Sequence, residues 1–130
     1  YRVVLECGYL ERNWDVITDK RIARLEELLY KDYRKPEQRE ALEHWGKNCN
    51  FHLALFSFWG NAFSYERLAD VMRTLGIVYV RSYWKTLHLT RVSSGANYHK
   101  QLINYFTAGD KKAAVECLKE DITEFFTPGT

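Results

Sequence analysis

Apolar residues recur along this chain at intervals of three and four, the repeat of a helix with one buried side. A first helix is predicted over about residues 1–12. A second starts behind the cap-like pair Thr18-Asp19 and runs to about Tyr33, with Ile22, Leu25, Leu28 and Leu29 on its apolar side. Pro36 opens a third at a position where its missing N–H costs nothing. That helix ends near Trp59 at Gly60-Asn61, and Lys47-Asn48 is its weakest stretch. The fourth spans about residues 62–87, with Leu68, Val71, Met72, Leu75, Val78 and Tyr79 as its buried stripe. A polar loop, Thr90 to Ala96, is expected before a fifth helix that stops at Gly109. The sixth, capped by Asp110, turns Ala113, Ala114, Cys117, Leu118 and Ile122 inward. Pro36 and Pro128 are the only prolines, and glycines fall mostly at element ends, so the frequent turns of an all-β domain are missing. The expected fold is all-α, an antiparallel bundle of about six helices.

Composition narrows the setting. The 130 residues make one domain, large enough for a real core. With 19 Lys+Arg against 17 Asp+Glu the charges nearly cancel, so DNA binding would have to come from a segment outside this chain. Three cysteines, Cys7, Cys49 and Cys117, are an odd number at no zinc-finger spacing, which favours free thiols in a reducing cytoplasm. The longest apolar stretch, Phe51 to Trp59, is broken by His52 and Ser57. It is too short to span a bilayer, and no signal peptide precedes it. The chain opens on Tyr1 directly in a periodic pattern, which reads as a fragment whose first helix is truncated.

The chemistry concentrates in four positions. Asn48 and His52 are one turn apart on one side of a helix. His99 lies eleven residues before Asp110 and Asp121 eleven after it, so antiparallel helices joined at Ala108-Gly109-Asp110 would set the two side chains at one height. Two imidazoles and a carboxylate suit Zn, Ni, Mn or Fe(II) and leave positions open for water or an anion, and Asn48 could add a neutral amide oxygen. A plainer reading makes the histidines hydrogen-bonded core residues. Cys49 offers a rival pairing with His52, but it points about 100° around the helix from Asn48. It and Cys117 read as small buried residues. His44 and His88 have no partner at a useful spacing. Arg73, Ile77 and Arg81 share one side of the fourth helix, where an arginine turned inward could clamp a carboxylate and one turned outward would form a basic edge. Among the aromatics, Trp59, Tyr83 and Tyr98 could line a pocket.

The residues also resemble a known family. Arg2-Val-Val-Leu5-Glu6, Phe51-His52-Leu-Ala-Leu followed by Gly60-Asn61, and His99, Leu102-Ile103, Ala108-Gly109-Asp110, Ala114 and Leu118 are similar in register to the C-terminal effector-binding (FCD) domain of FadR-type GntR transcription regulators. The resemblance covers nearly the whole chain. It implies a helical bundle, a homodimer and a small organic or sugar acid held beside a divalent metal. The family's metal ligands are Asp and His one turn apart followed by two further His, and they fall here on Asn48, His52, His99 and Asp121. Two positions depart, one losing a carboxylate and the other gaining one. The site is therefore either remodelled or degenerate, as in members that bind fatty acyl-CoA without metal.

The expectation is a regulator's sensory domain over residues 1–130, separated from an N-terminal winged helix-turn-helix that reads DNA. Arg2, Arg73, Arg81 and Tyr98 are the candidate effector contacts, and a small carboxylate is the candidate effector. The competing readings are a non-haem-iron-like enzyme, which the paired histidines and carboxylate also describe, and a purely structural dimerisation bundle.

Overall fold

The computed structural model describes the backbone of residues 1–31, 41–83 and 89–124, and the side chains of 1–29, 45–78 and 98–123. A π-helical turn, Val3–Cys7, runs directly into α1 (Gly8–Arg12), and a short 3-10 turn, Trp14–Val16, leads to α2 (Asp19–Lys31). Then follow α3 (Ala41–Ser57), α4 (Ala62–Tyr83), α5 (Leu89–Ala108) and α6 (Lys111–Glu124), with no strand among the described residues. The all-α bundle expected from the periodicity is what forms.

Local signals set the helix ends. Gly60 and Gly109 take φ of +69° and +72°, the left-handed conformation that closes α3 and α5 and that side chains resist. The next helices start on side-chain caps: Asn61 Oδ1 accepts from the Ser64 amide at 3.0 Å, and Asp110 Oδ1 from the Ala113 amide at 3.1 Å. Each turn therefore folds a helix back on its predecessor, and α3 packs chiefly on α4, as α5 does on α6. Two expectations need correction. The polar stretch Thr90 to Ala96 is not a loop but lies inside α5: with no proline to interrupt it, Ser, Thr and one Gly are weak helix formers that propagation carries through. Val78 is 44 % exposed, so the buried stripe of α4 stops short of it. The predicted start of the third helix at Pro36 lies outside the described residues.

The core has two parts, and α3 belongs to both. Phe51 and Leu55 join Leu10, Leu25, Leu102, Phe106 and Leu118 in the larger one. Trp45 and Phe56 join Leu68 and Met72 in the smaller. Trp45 crosses closely over α4, donating its indole N–H to the Met72 carbonyl at 3.0 Å. A Cβ at Gly76 would lie 2.7 Å from that indole nitrogen. Gly76→Ala should consequently lower stability by about 1–2 kcal/mol in urea unfolding, because overpacking outweighs the gain in helix propensity; a more stable variant would show that Trp45 does not pack there.

Candidate metal centre

His52 stands where four elements meet, 1 % exposed in the middle of α3. Its Nε2 lies 2.9 Å from Asp121 Oδ2 on α6, and its Nδ1 lies 2.7 Å from Glu6 Oε1 on the π-helical turn. His99, on α5, reaches the same Asp121 Oδ2 with its own Nε2 at 3.1 Å. The equal spacing of His99 and Asp121 about the Gly109 turn thus does bring them to one height. Behind Glu6, Arg2 Nε donates to Glu6 Oε2 at 2.8 Å. All five side chains are buried and form one hydrogen-bonded chain: Arg2, Glu6, His52, Asp121, His99.

Each group's titration follows from its neighbours. Burial alone would push the His52 ring below its ordinary value, but Glu6 and Asp121 on its two nitrogens more than offset this and raise it to about 9. Burial would raise the carboxyls of Asp121 and Glu6. Instead His99 and His52 hold Asp121 well below the usual carboxylate range, and His52 and Arg2 lower Glu6. In the metal-free chain His52 is then an imidazolium donating to a carboxylate on each side.

The ring planes are fixed as well. His99 stacks on Phe51 with centroids 4.0 Å apart and planes 7° from parallel. His52 meets His99 edge-on at 5.2 Å.

These residues fit a divalent cation. One ligand atom each from His52, His99 and Asp121 lies within 4.8 Å of the other two, close to the roughly 4 Å that two arms of about 2.0–2.2 Å to one ion span. Asn48, one turn before His52 and 5 % exposed, has its Oδ1 buried with no hydrogen-bond partner in the structure. A buried acceptor left without a partner is uncommon, and a cation or a ligand hydroxyl would satisfy it. Arg2 Nη2 is a second buried polar atom without a hydrogen-bond partner, a donor. Among the described residues, the convergent ligand atoms are those of His52, His99 and Asp121, without Cys49; burial pushes the Cys49 thiol up to about 11, and Cys7 and Cys117 up to about 12. All three are free thiols.

The remaining candidate contacts divide. Arg2 is at the cluster, joined to it through Glu6. Tyr98 is half-buried against the larger core, its carbonyl accepting the Cys117 thiol at 3.5 Å. Arg73 is not brought to the site: it is exposed on the outer side of α4 and ion-paired with Asp70, because Ile77 on the same side also faces solvent. The side chain of Arg81 lies outside the described residues, as do those of His44, Tyr83 and His88. Glu6 was missed by sequence reasoning. Its signal was faint but legible, an acid four residues after an arginine on an otherwise apolar first turn.

Residues 1–124 match the family described as FCD domain. No curated protein and no solved structure gives a significant match to the chain. Among the described residues, no helix is long and apolar enough to cross a membrane.

Proposed function

The chain belongs to the FCD domain family, whose members are regulatory effector-binding domains, and from that membership together with the buried cluster we propose that it senses a small organic or sugar acid beside a divalent metal. His52, His99 and Asp121 would hold the cation, with Asn48 completing the set in place of the family's aspartate. When bound, the metal would supply a fixed positive charge against which an effector carboxylate seats. The chain's own residues do the rest. Arg2, whose Nη2 is buried without a partner, offers a directed donor to the anion. The surrounding core excludes water, which strengthens both contacts.

The observation that carries this reading is the convergence of two imidazoles and one carboxylate, all buried, from three different helices. Because α3, α5, α6 and the first turn all meet there, a ligand that prefers one arrangement of these elements would bias the whole bundle. We read the DNA-binding domain it controls as a winged helix-turn-helix on a separate segment, in the GntR manner. We read the domain as a two-fold dimer. Exposed Phe63 and Ile77, fourteen residues apart and so on one side of α4, support a face that a second copy covers.

The test is thermal unfolding of the purified domain with elemental analysis. Metal bound to the native state alone stabilises it by mass action. Zn(II) should therefore raise the melting temperature and a chelator should lower it again, while His52→Ala should abolish the difference. Candidate hydroxy acids should raise it further only with metal present. No response of the parent domain to Zn(II) or chelator would leave the cluster as a hydrogen-bonded core. A second reading, an oxygenase, rests on the same two histidines and carboxylate. Metal-dependent conversion of a bound acid under air, followed by mass spectrometry, would favour it; recovery of the acid unaltered supports the sensor.

A further inference from the structure

We propose that Glu6 is the positioning residue for His52: it accepts the ring's Nδ1 proton and so commits Nε2 to the metal, while Arg2 fixes Glu6 in turn. This rests on the reading of His52 as a ligand. An imidazole ligand binds through one nitrogen, and the hydrogen bond made by the other decides which one is available and how the ring is turned. Here the two nitrogens are not equivalent. Nδ1 faces Glu6 Oε1 at 2.7 Å, whereas Nε2 faces Asp121 Oδ2 at 2.9 Å, on the same side as His99 Nε2. Glu6 is 2 % exposed and, among the described residues, is compensated by His52 and by Arg2 Nε at 2.8 Å.

The local backbone supports the assignment. Glu6 sits within the π-helical turn Val3–Cys7, which continues without a break into the α-helix from Gly8. Such π-helical turns are rare and frequently lie at functional sites. The two histidines are then held by different means, His52 by a carboxylate and His99 by stacking on Phe51. Only the first is sensitive to the residue at position 6.

The experiment uses the whole 130-residue chain and Zn(II) as the probe. Affinities of the parent, Glu6→Gln and Glu6→Leu are measured by competition with a chromophoric chelator, and the ring nitrogens of His52 are read by long-range ¹H–¹⁵N NMR in the zinc-loaded parent. The proposal expects zinc binding to weaken about 10- to 100-fold in Glu6→Leu, the range seen on removing such outer partners. Glu6→Gln, which keeps an acceptor oxygen, should lose less. In the parent, Nδ1 should carry the proton and Nε2 the metal. Equal affinities in all three proteins would overturn the role of Glu6 while leaving the metal site standing. So would a parent ring coordinated through Nδ1, a readout that holds even if Glu6→Leu does not fold. A parent chain that binds no zinc would overturn the site itself, a separate and distinguishable failure.

Discussion

Asp121→Ala should lower the stability of the metal-free domain by about 3–5 kcal/mol, more than any other single truncation in the cluster. Its Oδ2 is shared by both histidines, accepting from His52 Nε2 at 2.9 Å and His99 Nε2 at 3.1 Å. Without it, two buried N–H groups lose their acceptor, and the charge on His52 is balanced by Glu6 alone. Its neighbours along α6, Cys117, Leu118 and Ile122, are already packed in the core, which limits how far the helix can shift to fill the space left. Asp121→Asn separates charge from shape: it keeps the volume and one acceptor oxygen, so it should cost less. Chemical denaturation of the three proteins in the presence of a chelator measures this directly. A loss below about 1 kcal/mol for Asp121→Ala, the size of an ordinary exposed pair, would mean that the buried chain of charges does not form in solution.

The helices were legible because their signals are local. Periodic apolar positions, a glycine after the last turn and an Asn or Asp cap recur at Gly60-Asn61 and Gly109-Asp110, and each signal acts within a few residues. The pairing of His99 with Asp121 was legible for the same reason, since one short turn joins their helices and register carries over. Asn48 and His52 share a helix side by spacing alone. What sequence could not show was the partner of Glu6. Glu6 comes 46 residues before His52 and reaches it because the first turn packs against α6 and brings the carboxylate to α3; the spacing from Arg2 hints at a buried pair but not at His52. The facing of Arg73 was likewise undetermined: Arg73, Ile77 and Arg81 share a side of α4, but only packing decides whether that side is inward. It is outward, and Asp70 one turn away takes the charge. Thr90 to Ala96 failed differently, because polar composition was read as a loop where weak helix formers are carried along between stronger neighbours.

The same cluster should make the stability of the metal-free domain fall with rising pH while the stabilisation conferred by metal grows. In the metal-free chain the His52 ring has its pKa raised from 6.5 to about 9, so between those values the folded state holds a proton that the unfolded state has lost. Stability therefore falls as pH rises through that interval. The contribution of His52 is fully present below pH 6.5, of order 3 kcal/mol, and is gone above about pH 9. Glu6 and Asp121 work the other way. Their folded values lie below the ordinary 4.5 and 3.8, so their contribution is present above those values and lost as pH falls beneath them. The thiols, raised from 9.0 to about 11 and 12, change stability only above about pH 9 and leave this pH dependence unaltered. The chelated domain should thus be most stable near pH 5–6 and decline toward pH 9. With Zn(II) present, the proton on His52 Nε2 competes with the cation, and that competition weakens as pH rises. The stabilisation conferred by zinc should then grow from pH 6 to pH 9, over the range in which the chelated domain weakens. Urea midpoints at both pH values, each with zinc and with chelator, give the comparison. A chelated domain equally stable at pH 6 and pH 9 would show that His52 is not held as an imidazolium between Glu6 and Asp121.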